Sequence, residues 1–316
     1  MIIAVDFGGT RIKIGLVREG IVLTERIIRS YGNQASNDWL PLFQKEIQDL
    51  LEEENFSFSM CKGMVWALPM LVHPNMKKAN VSFGKFDDCK DADFVAKVES
   101  LFGLPVLLEN DARAALFGEW EFGAGKNYED LLMITLGTGI GTAVVMDGKP
   151  LRGRTGLAGN LGGLSLSRVG PKDSFQTQIA EESAASWVIA DLIQKHPDYQ
   201  KSSLSKKELL DYKAIFEEAI RGDALAIYFR LEAFRNWGIL IANLILSFDP
   251  KCVILGGGIM GSREVILPGV TSIVEELLVD LGIQVEIVSS SLNESAGLLG
   301  CEMVWEEYSQ KVALSS

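Results

Sequence analysis

Imidazole and clustered thiol are almost missing from this chain. Only two histidines, His73 and His196, occur in 316 residues, and the four cysteines, Cys61, Cys89, Cys252 and Cys301, stand far apart. No pair of cysteines has the short spacing of a metal knuckle, so a structural zinc site is not expected and the thiols read as isolated reduced residues. Positive charge is also scarce. Lysine and arginine number 30 against 42 acidic residues, a formal charge of -12. That balance argues against nucleic acid, whose phosphates require clustered cations. A nucleotide would be repelled as well, unless Mg²⁺, backbone N–H groups and local cations overcame the field.

Long hydrophobic runs are lacking too. Stretches such as Gly238 to Leu246 and Val253 to Leu255 are too short to cross a bilayer, and Met1-Ile2-Ile3-Ala4-Val5-Asp6 has neither a basic segment nor a signal core. The expectation is a cytoplasmic protein with no membrane partner. With 47% apolar and 23% charged residues, the chain has the balance of a globular protein and the length for two domains.

What is present begins with a repeated pattern. Ile2 to Val5 alternates as a strand, Gly8-Gly9-Thr10 turns, Ile12 to Val17 returns, and Glu19-Gly20 leads to Ile21-Val22-Leu23. The plan recurs as Leu131 to Thr135, Gly137-Thr138-Gly139-Ile140-Gly141, Ala143 to Met146 and Asp147-Gly148. Two such units predict a duplicated architecture. Helices are predicted from Ser36-Asn37 to Glu54, from Asp91 to a stop at Gly103, and from Asp223 to about Leu246 before Asp249-Pro250. Two more are predicted from about Ser262 and from about Glu294 to Val312. Leu104 to Leu108 and Cys252 to Leu255 read as short buried strands. Strands alternating with helices, joined in part by hairpins, give an α/β class with mixed sheets.

Four places could carry chemistry. In Asp6-Phe7-Gly8-Gly9-Thr10-Arg11-Ile12-Lys13, bare backbone can approach a phosphate. Asp6 could hold Mg²⁺ through water, and Thr10, Arg11 and Lys13 could meet phosphate oxygens. An ordinary hairpin with charged residues on its wet face explains the same residues equally well. Leu136-Gly137-Thr138-Gly139-Ile140-Gly141 superficially resembles a dinucleotide fingerprint, but a strand follows it where that motif needs a helix. In Leu108-Glu109-Asn110-Asp111-Ala112-Arg113-Ala114-Ala115 a strand runs into a helix. Asp111 there is either a helix cap or a carboxylate presented at a sheet edge. Gly256-Gly257-Gly258, after Val253 to Leu255, would let a nucleobase lie on bare backbone, or simply make a tight turn.

The order of these features resembles the ROK family of sugar kinases, related open reading frames and repressors, over nearly the whole chain. Glu109-Asn110-Asp111-Ala112, continuing to Ala115-Leu116-Phe117-Gly118-Glu119, is similar to that family's active-site stretch. The resemblance implies a duplicated actin-like ATPase (ribonuclease H-like) fold with two domains and a cleft between them. The smaller domain would comprise residues 1–116 plus about 297–316, and the larger one 117–296. It implies ATP and Mg²⁺ as cofactors. Asp6, Gly8, Gly9, Thr10, Arg11 and Lys13 would grip phosphates together with Gly137, Thr138, Gly139 and Gly141, and Gly256, Gly257 and Gly258 would lie near adenosine. Asn110 and Asp111 would hold a hexose, Asp111 accepting the proton of its C6 hydroxyl, and the helix N-terminus would keep Asp111 ionised at neutral pH. Ala67-Leu68-Pro69-Met70 resembles a sugar-proximal loop. A homodimer is compatible with the family.

One stretch departs from the family pattern of Gly-Glu-x-Gly-His followed by a cysteine-rich zinc loop. The residues here are Gly159-Asn160-Leu161-Gly162-Gly163, and Ser165 to Ile179 contains no cysteine. Asn160 stands for the sugar-binding Glu and Gly163 for the zinc-ligating His. Glu182 resembles a later sugar-contacting Glu, and reads equally as a solvated carboxylate beside Glu181. Asn offers one acceptor and one donor group and no charge, so glucose is not expected to be handled as in a standard member. An amino, N-acetyl or keto sugar, or low activity, is the expectation. The rival reading is a sugar-binding regulator, or a protein that has lost catalysis. Repressors of the family carry an added N-terminal helix-turn-helix, whereas here the sequence opens on the phosphate strand, so DNA binding is not expected.

Overall fold

The computed structural model describes residues 1–32, 34–82, 86–163, 165–168 and 177–315. Two compact units divide the chain at points other than the expected boundaries. The first is Met1–Asn127, Pro150–Gly159 and Ser291–Ser316, and the second is Tyr128–Lys149 and Asn160–Ser290. A cut after residue 116 would fall inside the helix Asp111–Phe122.

In the first unit, β1 (Ile2–Phe7), β2 (Arg11–Arg18) and β3 (Ile21–Arg29) form a meander. The parallel strands β4 (Met64–Leu68) and β7 (Val106–Asn110) complete a sheet of order β3-β2-β1-β4-β7. A small hairpin, β5 (Met70–Val72) with β6 (Ala79–Ser82), stands beside it. Ala67 and Leu68 thus end a buried strand, and the supposed sugar-proximal loop shrinks to Pro69 between two strands.

Side-chain alternation along β1 decides what each face of the sheet carries. Ile3, Val5 and Phe7 enter a core with α1 (Ser36–Glu53) and α2 (Phe94–Phe102), where the Phe7 ring lies 5.1 Å from Trp66 and 5.2 Å from Phe86. Phe7 thereby anchors the first glycine turn in the interior. Ala4 and Asp6 take the opposite face, where α9 (Ala296–Ser315) packs with α3 (Asp111–Phe122). The α1 helix starts as predicted, but Ala35 is its cap residue, and the donor at Ser36 is satisfied by the Asp88 carboxylate. Gly103 ends α2 in the left-handed conformation, φ +66°.

The second unit repeats the plan. Strands β8 (Leu131–Leu136) and β9 (Ile140–Met146) are antiparallel, β10 (Lys149–Pro150) extends them, and β13 (Cys252–Gly256) and β14 (Glu286–Ser289) add in parallel. The sheet order is β10-β9-β8-β13-β14. A separate pair, β11 (Ser165–Arg168) and β12 (Thr177–Ile179), leads into α4 (Ala180–Ala184) and α5 (Ser186–Lys195). The α6 (Tyr212–Ile220), α7 (Ala224–Phe248) and α8 (Arg263–Leu278) helices complete the unit. Asp223 caps α7 by accepting from Ala226 N–H at 2.9 Å, in line with the expected helix start at Asp223. Two five-stranded sheets, each a hairpin followed by two parallel strands, are the duplication expected from the repeated motif.

Candidate active site

Strand register collects the first group of residues. Asp6 lies opposite Lys13 on β2 and beside Ala67 on β4, while Ala67 lies beside Glu109 and Leu68 beside Asn110. The Asp6 carboxylate and the start of α3 therefore share one end of one sheet, where ligands bind in open α/β folds. Gly297, at the start of α9, leaves room for Asp6. A Cβ there would come 2.8 Å from the Asp6 Oδ2.

The capping question at Asp111 has a definite answer. Asn110 is the cap, its Oδ1 accepting from Arg113 N–H at 3.1 Å, and Asp111 is the first helical residue. Asn110 Nδ2 donates to Met70 O at 3.1 Å and to Asp111 Oδ1 at 3.0 Å, and Ala112 N–H donates to the same Oδ1 at 2.8 Å. One carboxylate oxygen is thus pinned.

The charge state of Asp111 differs from expectation. Desolvation, and next the neighbouring Asp6 carboxylate, raise its pKa to about 7, against the smaller opposing effect of N–H donors at the helix start. Helix-terminus stabilisation loses here to burial and like charge. The pKa of Asp6 is raised as well, mainly by desolvation, with Lys13 opposing and Glu294 assisting. Lys13 Nζ donates to Glu294 O at 2.7 Å and lies 3.4 Å from its Oε2, and Arg11 lies 3.3 Å from Glu294 Oε1. Both cations of the first turn are therefore shared with one exposed carboxylate.

Glu109 was not assigned a role from sequence, yet it is the anchor of this region. At 1% exposure it accepts from Arg113 at 2.7 Å and from Arg152 at 2.7 and 3.1 Å, and its Oε1 also accepts from Asn110 N–H at 2.8 Å. Arg152 continues to Glu307 at 2.8 Å, and Arg113 reaches Gly156 O at 3.1 Å. Two arginines outweigh desolvation and hold the Glu109 carboxyl below its ordinary range. Removing one partner of such a buried set costs about 3–5 kcal/mol, because the others keep uncompensated charge. Glu109→Gln is therefore expected to lower the thermal midpoint by roughly 5–15 °C, measurable by calorimetry. Glu119, fully buried, has a parallel role. It accepts from Ala124, Ser291 and Leu292 N–H and so fixes the loop that carries Glu294.

In the second unit the glycine turn is clamped from below. Ser186 and Trp187, opening α5, donate their N–H groups to Gly137 O at 3.0 Å and Thr138 O at 3.3 Å. Gly257, at φ +91°, lies against the same turn, since a Cβ there would meet Leu136 O at 2.4 Å. Packing explains Gly256 similarly, through Met133 and Ser290, whereas among the described residues nothing lies within 4 Å of a Cβ placed on Gly258. Glycine turn and triple glycine are thus neighbours, as Gly256 pairing with Thr135 requires.

Asn160 is partly exposed and Glu182 exposed, and it is Glu181 that faces the glycine turn. Among the described residues nothing lies within 4 Å of a Cβ placed on Gly163, and none of them demands glycine there. Of the stretch expected to replace the zinc loop, 169–176 lies outside the described residues.

The ROK family model matches residues 2–308. The chain belongs to the ROK family. Among its relatives is the glucokinase of Thermotoga maritima, 30% identical over 97% of each chain. The solved ROK family glucokinase from Streptomyces griseus, in complex with glucose and AMPPNP, superposes with a TM-score of 0.79 at 26% identity, covering 96% of this chain and 98% of that one. The xylose repressor of Bacillus subtilis is 28% identical over 77% of this chain and 60% of its own length. The fold is accordingly the actin-like ATPase fold of ROK sugar kinases. Among the described residues no helix is long and apolar enough to cross a membrane.

Proposed function

We propose that this ROK protein transfers a phosphoryl group from ATP to a hexose or hexose derivative, at the C6 hydroxyl, with Asp111 as general base. The observation that carries the reading is Asp111 itself. Asn110 relieves it of capping, its pKa near 7 suits proton acceptance at neutral pH, and it stands beside Asp6 at the sheet edge. The glucokinase relatives support the reaction class.

The residues fit Mg²⁺. Asp6 and Asp111 form a pair of like charges that a divalent ion would relieve, and Mg²⁺ typically takes one or two carboxylates, with water and phosphate supplying the rest. Asp6 would hold the ion through water. When bound, it neutralises charge on the phosphoryl oxygens. Lys13 and Arg11, with Gly8, Gly9 and Thr10, would meet phosphate oxygens, as would Gly137, Thr138, Gly139 and Gly141. Gly256, Gly257 and Gly258 would lie near adenosine. Asn110, Asn160 and Glu182 would orient the sugar, and Asp111 takes the proton as the hydroxyl attacks.

An ADP-release assay across hexoses and N-acetylhexosamines tests the reading, and Mg-ATP-dependent turnover of at least one sugar is expected. Turnover of none would favour a sugar-binding regulator, a reading supported by the xylose repressor relative. Against DNA binding stands the charge of -12. A cytoplasmic location accords with intracellular ATP.

The departures at Asn160 and Gly163 set substrate preference. Because no described residue crowds the Gly163 Cβ position, Asn160→Glu with Gly163→His is expected to fold and to lower KM for glucose about tenfold, by adding a charged acceptor and a further polar contact. Steady-state kinetics with glucose and N-acetylhexosamines check this.

A further inference from the structure

Glu181 is unexplained by the reaction above, and it occupies a conspicuous place. Its carboxylate lies against Gly139 so closely that a Cβ there would come 2.2 Å from Oε1, and it accepts a hydrogen bond from Ile140 N–H. Its own N–H donates to Gly162 O at 3.1 Å, and Gly162 is pressed on Ile140 O, where a Cβ would fall at 2.0 Å. The side chain is thus held on the turn, while the backbone is tied to Gly162, which packs beside Ile140. Its carboxyl is partly exposed and its pKa is raised by desolvation, with Glu182 adding like charge.

An anion held on a backbone N–H at a glycine turn, here that of Ile140, stands where a phosphate oxygen would stand, because carboxylate and phosphate seek the same donors. The first unit shows a related arrangement, in which Glu294 takes Lys13 and Arg11. We infer that Glu181 is an internal anion that competes with the phosphoryl donor for the second glycine turn, so that its displacement sets the affinity for ATP. The inference rests on the reading of that turn as a phosphate site. It gives an otherwise puzzling acidic side chain a physical role, lowering donor affinity while keeping the empty turn in its binding conformation.

The test is equilibrium binding, by isothermal titration calorimetry, of ATP with and without Mg²⁺ to the parent, Glu181→Gln and Glu181→Asp. Gln keeps an acceptor for Ile140 N–H and loses the charge, and Asp withdraws the carboxylate by one methylene. Glu181→Gln is expected to tighten ATP about tenfold in both conditions and Glu181→Asp by less, since like-charge juxtaposition is removed or weakened. Unchanged or weaker ATP binding by both variants would overturn the inference and make Glu181 a prop for the turn. Weakening confined to Mg-ATP would overturn it in favour of a metal-holding role. Absence of ATP binding by parent and variants alike, with sugar present, would overturn the phosphate reading of the turn and this inference with it.

Discussion

Asp111→Asn is expected to reduce turnover by a factor of about 10²–10⁴ while leaving the protein folded. The substitution is nearly isosteric, and a side-chain oxygen remains to accept from Ala112 N–H and Asn110 Nδ2, so α3 keeps its start. What disappears is the group able to take the proton from the attacking hydroxyl. The KM for the sugar should change far less than kcat, because the amide still accepts a hydrogen bond from a bound hydroxyl. Turnover undiminished in Asp111→Asn would remove Asp111 as the base.

The pKa of about 7 adds two consequences with definite signs. A base must be ionised, so kcat/KM, measured with both substrates well below saturation, should fall about tenfold per unit as pH drops below 7 and level off above it. Stability runs the other way. A carboxyl whose folded pKa exceeds its unfolded value of 3.8 favours the folded state fully at low pH, and that contribution is lost as pH rises through about 7. Asp111→Asn should therefore melt a few degrees above the parent at pH 8 and close to it at pH 4. Function and stability are in opposition at this residue, as is common where charge is held for chemistry.

How far the site could be read from sequence depended on the range of the interaction. The two strand–glycine–strand units were legible because turn chemistry and alternation are local, and the Asp223 and Gly103 helix boundaries were legible for the same reason. The ionisation of Asp111 was not, since Asp6 arrives from a different strand and only the β1–β4–β7 register brings the two to one sheet end. Glu109 looked like one residue of a motif, but its partner Arg152 lies 43 positions on, in a segment with no periodic signal. Glu181 and Glu182 are adjacent and alike in composition, and only the direction in which α4 presents them puts Glu181 on the glycine turn. Family likeness pointed to Glu182, so the residue facing the turn was the one passed over.

Gly300→Ala is expected to be among the most damaging single-methyl changes in the chain, and Gly118→Ala close behind. A Cβ on Gly300 would sit 1.7 Å from the backbone oxygen of Ala114, and one on Gly118 would sit 2.1 Å from that of Ala296. In both cases the obstacle is backbone of the opposing helix, which cannot swing aside as a side chain can. α3 and α9 must therefore separate, opening gaps among Ala112, Ala114, Leu298 and Cys301, all buried. Overpacking of this kind costs about 3 kcal/mol or more, roughly 6–12 °C of melting temperature for a unit of this size. The damage should also reach the chemistry. α3 carries Asp111 at its first residue and α9 lies against Asp6 through Gly297, so moving the helices apart moves the two carboxylates relative to each other. A displacement of about 1 Å can cost a hundredfold in rate, so the folded fraction of Gly118→Ala should show reduced kcat as well as a lower melting point. Calorimetry together with active-site-normalised turnover checks both effects. A variant that melts with the parent would mean that α3 and α9 pack less closely than their glycines indicate.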